Sequence, residues 1–310
     1  MNKSIIKKIS IFAILIILFL ISLYLSLFYG LDEQNEKILF TYIRLPAVCK
    51  SIIAGSCLAL SGMILQAISR NNLADPYLTG LSSGAGLGIV IALSLNFVSY
   101  SLFGFIGALI ASLIVICLSG FSKFSISKLI LIGLSINIFA SSIISFLVLT
   151  NADKAYAMTL ILSGGFSSAD VPGKHLWTLF LSALLFCAFF IPKLNCMRID
   201  ARLTFESKQD YDAHNLIFVV LSAFLTAVSV YTVGILGFVG IIVPHLSKII
   251  IGNDYRFLFF VNILLGAELL LFSNFLSNNL LSPIQVPLGI VVAFVGAPLF
   301  VFFLLRRDFE

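Results

Sequence analysis

The sequence predicts an all-α, polytopic membrane helix bundle of about ten transmembrane helices, some of them short or broken, with a charged cytoplasmic segment. Three observations predict it. Of 310 residues, 60% are hydrophobic and 11% charged, against roughly 25% charged in an average soluble domain. A mean hydropathy of +1.12 leaves too few polar residues to cover a soluble fold. The apolar residues also come in long unbroken runs, where a membrane β-barrel would alternate polar and apolar residues in strands of about ten. A hydrocarbon core about 30 Å thick takes roughly 20 residues per helix, so the length allows about ten spans.

The runs place those spans at about 9–29, 45–69, 77–96, 101–120, 126–149, 174–192, 215–235, 238–251, 257–277 and 286–305. The first follows Lys3, Lys7 and Lys8 and is too long for a signal core, with no clear small-x-small cleavage site behind it. It reads as a transmembrane helix whose basic end is cytoplasmic. Alternation from there puts 14 of the 19 Lys and Arg inside, with Lys37, Arg44, Lys154 and Lys174 outside and Lys50 within the outer end of the second span. That asymmetry is the positive-inside pattern, and an even number of spans returns the C-terminus to the cytoplasm.

Two regions interrupt the spanning pattern. One runs from Arg70 through Asn72, Asp75 and Pro76 to Gly80 and into Ser82-Ser83-Gly84. The other carries Gly234, Gly237, Gly240, Pro244, His245 and Lys248, and its apolar piece from Val239 to Ile251 would rise only about 20 Å as a helix. Non-helical backbone at membrane depth is tolerated where protein buries it or a water-filled cavity solvates it, which favours a transport pathway nearby, with a simple helix kink as the alternative. One interruption per half is also the layout of transporters built from internal repeats. Small residues four apart, Ser51, Gly55 and Ala59 on the second span and Gly84 with Gly88 on the third, mark faces that pack closely on other helices.

Charge gathers between about residues 198 and 215, in an element that must be cytosolic. It is either a solvated loop or a short amphipathic helix pair that docks on a partner. Catalytic chemistry is missing. Pro172-Gly173-Lys174-His175 lacks the upstream glycine and the hydroxyl residue of a phosphate-binding P-loop. The spans supply no nucleophile, base and orienter at recognisable spacing, so the chain reads as a non-enzyme. Its five cysteines form no C-x-x-C pair and its three histidines lack acidic or thiol neighbours at ligand spacing, so no metal site is assigned. The net charge of +5 is not a nucleic-acid signal, because in a membrane protein the position of charge matters more than its sum.

Glu268 stands near the middle of the ninth span, where a carboxyl is costly enough to suggest ion coupling or a protonated, hydrogen-bonded role. Asn137 in the fifth span, and Asn274 with Asn278 in the ninth, either line a pathway or bridge helices.

Read together, Arg44-Leu45-Pro46, Leu58-Ala-Leu-Ser-Gly62, Gln66, Asn71, Leu73-Ala-Asp75-Pro76, Gly80, Ser82-Ser-Gly84, Gly237-Phe-Val-Gly240, Val243-Pro-His245, Gly252 and Gly296-Ala-Pro298 resemble the FecCD family. These are the permease subunits of ABC importers for iron-siderophore complexes, haem and cobalamin. The resemblance covers nearly the whole chain and implies a single transmembrane permease domain over residues 1–310, in the cytoplasmic (inner) membrane. It further implies a second permease subunit, two ATPase subunits that bind ATP and Mg, an external substrate-binding protein, and no cofactor on this chain. An iron chelate is the implied cargo, with cobalamin as the alternative. A gradient-driven transporter using Glu268 and a passive channel are the rival classes.

The resemblance also assigns roles. Arg44 matches a family arginine that receives acidic residues of the binding protein; the usual second arginine is Ala47 here, and Lys50 either supplies its charge or snorkels to the outer headgroups. The stretch Ala201, Arg202, Glu206, Ser207, Lys208, Gln209, Asp210, Tyr211 and Asp212 lies where the family couples to its ATPases, with charge in place of the usual small-residue turn. Other departures are Asn72 for proline, Lys248 for arginine, and Asn274 with Asn278 for an acidic and basic pair.

Overall fold

The computed structural model describes residues 3–29, 39–77, 79–119, 126–165, 174–199, 208–281 and 285–305. Among them are eleven α-helices and no strand: α1 (Lys3–Phe28), α2 (Leu45–Ser69), α3 (Leu81–Ser94), α4 (Tyr100–Ser119), α5 (Ile126–Thr150), α6 (Ala155–Leu162), α7 (Lys174–Ile199), α8 (Lys208–Val233), α9 (Val239–Ile251), α10 (Tyr255–Asn279) and α11 (Leu288–Leu305). A π-helical turn, Leu39–Arg44, leads into α2. Seven helices are long and apolar enough to cross a membrane, and the shorter apolar helices α3, α9 and α11 fall on the three remaining expected spans.

The centre of the bundle is α2. Its most apolar window is 83% buried, against 17% for the peripheral α1. α2 packs on α8, α9 and α10, while α3, α4 and α5 form a second group joined to the first chiefly through α4 and α8. Close approach explains the small-residue faces. A Cβ on Gly55 would lie 2.6 Å from the carbonyl carbon of Gly266 on α10, and one on Gly84 would lie 2.8 Å from the Gly107 carbonyl oxygen on α4. Lipid gives packed helices no hydrophobic reason to associate, so backbone contact of this kind and buried hydroxyl bonds hold the bundle. Ser61 on α2 bonds Ser222 at 2.6 Å and Thr226 at 2.8 Å on α8, and Ser56 donates to the Ile263 carbonyl on α10 at 3.2 Å.

Four boundaries differ from the expected ones. α3 starts at Leu81 because Pro76 and Gly80, the latter at φ +80°, interrupt the helix, and the Thr79 hydroxyl donates to the Pro76 carbonyl at 2.8 Å. α7 runs through Pro192 to Ile199, and its last turns are fixed from outside: Asn195 donates to Asp254 at 2.9 Å and accepts from the Tyr255 N–H at 2.9 Å. α8 begins at Lys208, so the charged stretch belongs at one end to α7 and at the other to α8, and only residues 200–207 lie outside the described residues. α6 occupies part of the expected outer loop; at 8 residues it is too short to carry a readable apolar period.

Candidate functional site

The two interruptions, about 165 residues apart along the chain, meet in space. α9 crosses α2 where a Cβ on Gly62 would sit 2.6 Å from both the Cα and the carbonyl carbon of Gly240. On the other side of Gly240 lie Asp75 and Pro76, whose Cδ would be 3.0 Å from a Cβ there. Gly240 is thus enclosed between the backbone of α2 and the turn that precedes α3. The Gln66 amide donates to the Gly240 carbonyl at 3.3 Å, which gets no helix bond because Pro244 four residues on has no N–H, and to the Ile241 carbonyl at 3.2 Å.

Lys248, in the last turn of α9, donates to Gln66 Oε1 and to Asn72 Oδ1, both at 2.8 Å. Asn72 and Lys248, two of the departures noted from sequence, are therefore bonded to each other. Asp75 is 5% exposed and accepts the Tyr77 N–H. Thr79 and Gly80 close the turn against Gly133 of α5.

The entry to α9 is irregular. Residues 234–237 are non-helical, Gly234 has φ +82°, and Phe238 has φ +67°, an outlying backbone for an aromatic residue. Gly237 has open space around it, whereas Pro244 and His245 are buried within α9. The glycines are visible in the sequence as an interruption of the spanning pattern; the positive φ of Phe238 is not, because a strained aromatic leaves no compositional signal.

On α5, Asn137 with Ser141, Ser142 and Ser145 forms a polar stripe that, together with Tyr77 and Ile138, lines an open cleft of about 320 Å³. Ser142 and Ser145 donate to the carbonyls of Ile138 and Ser141 at 3.0 Å each, so the stripe offers mainly acceptor oxygens and the Asn137 amide. Such a face is a poor match for lipid and a good one for a hydrated path or a second polar helix. Gly84 sits away from it, in the α3–α4 contact.

At the opposite end of α2, Arg44 donates to the Leu27 carbonyl in the last turn of α1 at 3.4 Å and to the Tyr29 carbonyl just beyond it at 2.5 Å. Lys50 is buried at 8% exposure, so it does not present an ammonium on the surface of this chain. Glu268 lies on the α1–α10 seam, where Ser22 donates to its Oε1 at 2.6 Å; two turns along, Asn274 donates to Ser26 at 2.8 Å and Asn278 to the Asn274 carbonyl at 2.9 Å. These three residues bridge α1 to α10 or brace α10 itself. Of the charged stretch, Ala201, Arg202, Glu206 and Ser207 lie outside the described residues, and Lys208, Gln209, Asp210, Tyr211 and Asp212 form the first turns of α8.

A helical bundle with two short apolar helices, each preceded by non-helical backbone, the first turn of one seated against the turn that leads into the other, has the layout of a polytopic permease. The chain belongs to the FecCD transport family, whose model matches residues 8–306. It is 32% identical over 283 residues to the hemin transport system permease protein HmuU of Yersinia pestis, covering 86% of this chain and 82% of that one. It is 30% identical over 291 residues to the vitamin B12 import system permease protein BtuC of Vibrio vulnificus, covering 91% and 87%. Among solved structures it is similar to a transporter described as of the metal-chelate ABC type in an inward-facing conformation, with a TM-score of 0.85 and 26% identity over 96% of this chain and 99% of that one. The chain is accordingly an ABC transporter permease subunit and not itself an enzyme.

Proposed function

We propose that this chain forms the membrane path of an importer that carries an iron chelate, a siderophore complex or haem, into the cytoplasm, powered by ATP hydrolysis in separate subunits. The observation that carries this reading is the match to the permease family over residues 8–306. Cobalamin is the second reading, favoured by the 30% identity to a vitamin B12 permease. A complete importer comprises a second permease subunit, identical or paralogous, two ATPases that bind ATP and Mg, and a binding protein outside. Both termini are cytoplasmic, as the placement of the basic residues implies. The segment 201–212 is the ATPase contact, and the Asn137 stripe with the cleft beside Tyr77 contributes to the path.

Glu268 has a bonding role at the α1–α10 seam, and gradient coupling through it is the rival reading. Vesicles containing the assembled importer, loaded with ATP on the ATPase side, test both points. ATP-dependent uptake of a ferric siderophore or haem, indifferent to a proton gradient and retained in Glu268→Gln, is the expected result. Uptake of cobalamin alone would replace the cargo, and gradient-driven uptake lost in Glu268→Gln would replace the mechanism.

Arg44 is the proposed docking charge for the binding protein. Arg44→Gln keeps an amide donor for the Tyr29 carbonyl and removes the charge, so affinity for the binding protein should fall roughly ten-fold at low salt and less as salt rises. A salt-independent affinity equal to that of the unaltered chain would reject the docking role.

A further inference from the structure

Helix α9 is strained at its entry and fastened at its exit. Phe238 enters it at φ +67°, a backbone conformation that costs free energy wherever a side chain with a Cβ adopts it. Ten residues on, the Lys248 ammonium leaves the helix and bonds Gln66 Oε1 on α2 and Asn72 Oδ1 on the turn before α3, at 2.8 Å each. One cation thereby ties α9 to the end of α2 and to the turn that follows it, acceptors 182 and 176 residues away along the chain. Both acceptors are neutral amides, so release strands no carboxylate; Gln66 is 2% exposed, so its bond is replaced by water only if the release also opens the crevice around it. The bonds are short and directional, yet exchangeable.

We propose that Lys248 is a latch: its ammonium seats the 71–76 turn and the end of α2 on α9, and its release lets α9 swing about Phe238. Lys248 is a positioning residue, acting on the backbone around it rather than on cargo. The latch biases an equilibrium between two placements of α9, and the strain at Phe238 opposes it, so loss of the two bonds shifts the population toward the released placement. A hydrogen bond to a charged donor has a strength that corresponds to a shift of roughly ten-fold in that population. The latch rests on the permease reading only for its consequence in transport; the movement itself is a property of this chain.

The test places spin labels at positions 73 and 249, where Leu73 and Ile249 are 37% and 50% exposed, on encoded ketone side chains that leave the native cysteines untouched. Distances are measured in the full-length chain in lipid nanodiscs. The unaltered chain should give one dominant distance. Lys248→Met should add a second population, with the released-to-seated ratio raised roughly ten-fold, and Lys248→Arg should restore the single distance. Asn72→Ala should act in the same direction, add little in the Lys248→Met background, and serve as the readout if Lys248→Met does not insert. An unchanged distance distribution in both variants, or equal broadening by Lys248→Arg and Lys248→Met, would overturn the latch. ATP-driven uptake by the same variants reports separately on the importer reading, because the distances need neither cargo nor ATPase.

Discussion

Replacing Gly62 by valine is expected to destabilise the bundle severely. The first atom of the new side chain would fall 2.6 Å from the Gly240 Cα and carbonyl carbon, which are backbone and cannot rotate away. α9 would have to lift off α2, breaking the Gln66 bonds to Gly240 and Ile241 and displacing Asp75 and Pro76. Overpacking a tight contact costs about 1–3 kcal/mol when side chains can adjust, and here only backbone can, so a loss of about 3 kcal/mol or more is expected. Against a net stability of roughly 5–15 kcal/mol this removes much of the margin. Gly237→Ala is the matched control: nothing lies within 4 Å of its Cβ position, and the change should stay within about 1 kcal/mol. The check is the yield and thermal stability of the two variants in mild detergent. A Gly62→Val chain as stable as Gly237→Ala would mean that the α2–α9 crossing is not as described.

Neutralising Lys208 and Asp210 together is expected to uncouple the importer while leaving the bundle intact. These residues lie in the first turns of α8, ahead of its apolar run, so their replacement by Met and Asn should cost little stability. If the charged stretch is the ATPase contact, as proposed, loss of both charges should lower substrate-stimulated ATP hydrolysis roughly ten-fold or more, because charge pairs fix the register of a docked surface as well as its affinity. Hydrolysis by the isolated ATPase should not change. Unaltered substrate-stimulated hydrolysis would remove the charges from the coupling contact and leave backbone shape to carry it.

Much of this architecture was legible in the sequence because lipid makes composition a positional signal. Ten apolar runs correspond to ten apolar helices, and the four-residue spacing of Gly55 and Ala59, and of Gly84 and Gly88, marks helix faces that in the structure touch backbone on α10 and α4. Legibility stops where a feature depends on which elements become neighbours. Asn72 and Lys248 stood out singly as departures from the family pattern, but their mutual bond arises only once the turn before α3 is laid on α9. Lys50 read as a surface charge because one helix shows its position along the membrane and not its facing; α2 is central, so Lys50 is buried. Glu268 read as a lone acid for the same reason, since Ser22 on α1 is 246 residues away. α6 and the continuation of α7 beyond Pro192 are set by local length and by Asp254 and Tyr255, signals that periodicity does not carry.

The claim that this chain is the membrane path for ATP-driven import is tested most directly by extracting the tagged protein from its native membrane in mild detergent and asking what accompanies it. A P-loop ATPase should co-purify, hydrolyse ATP, and crosslink through residues 201–212. If no ATPase appears even after crosslinking through that segment, ATP-driven import is contradicted and gradient-driven flux through Glu268 takes its place.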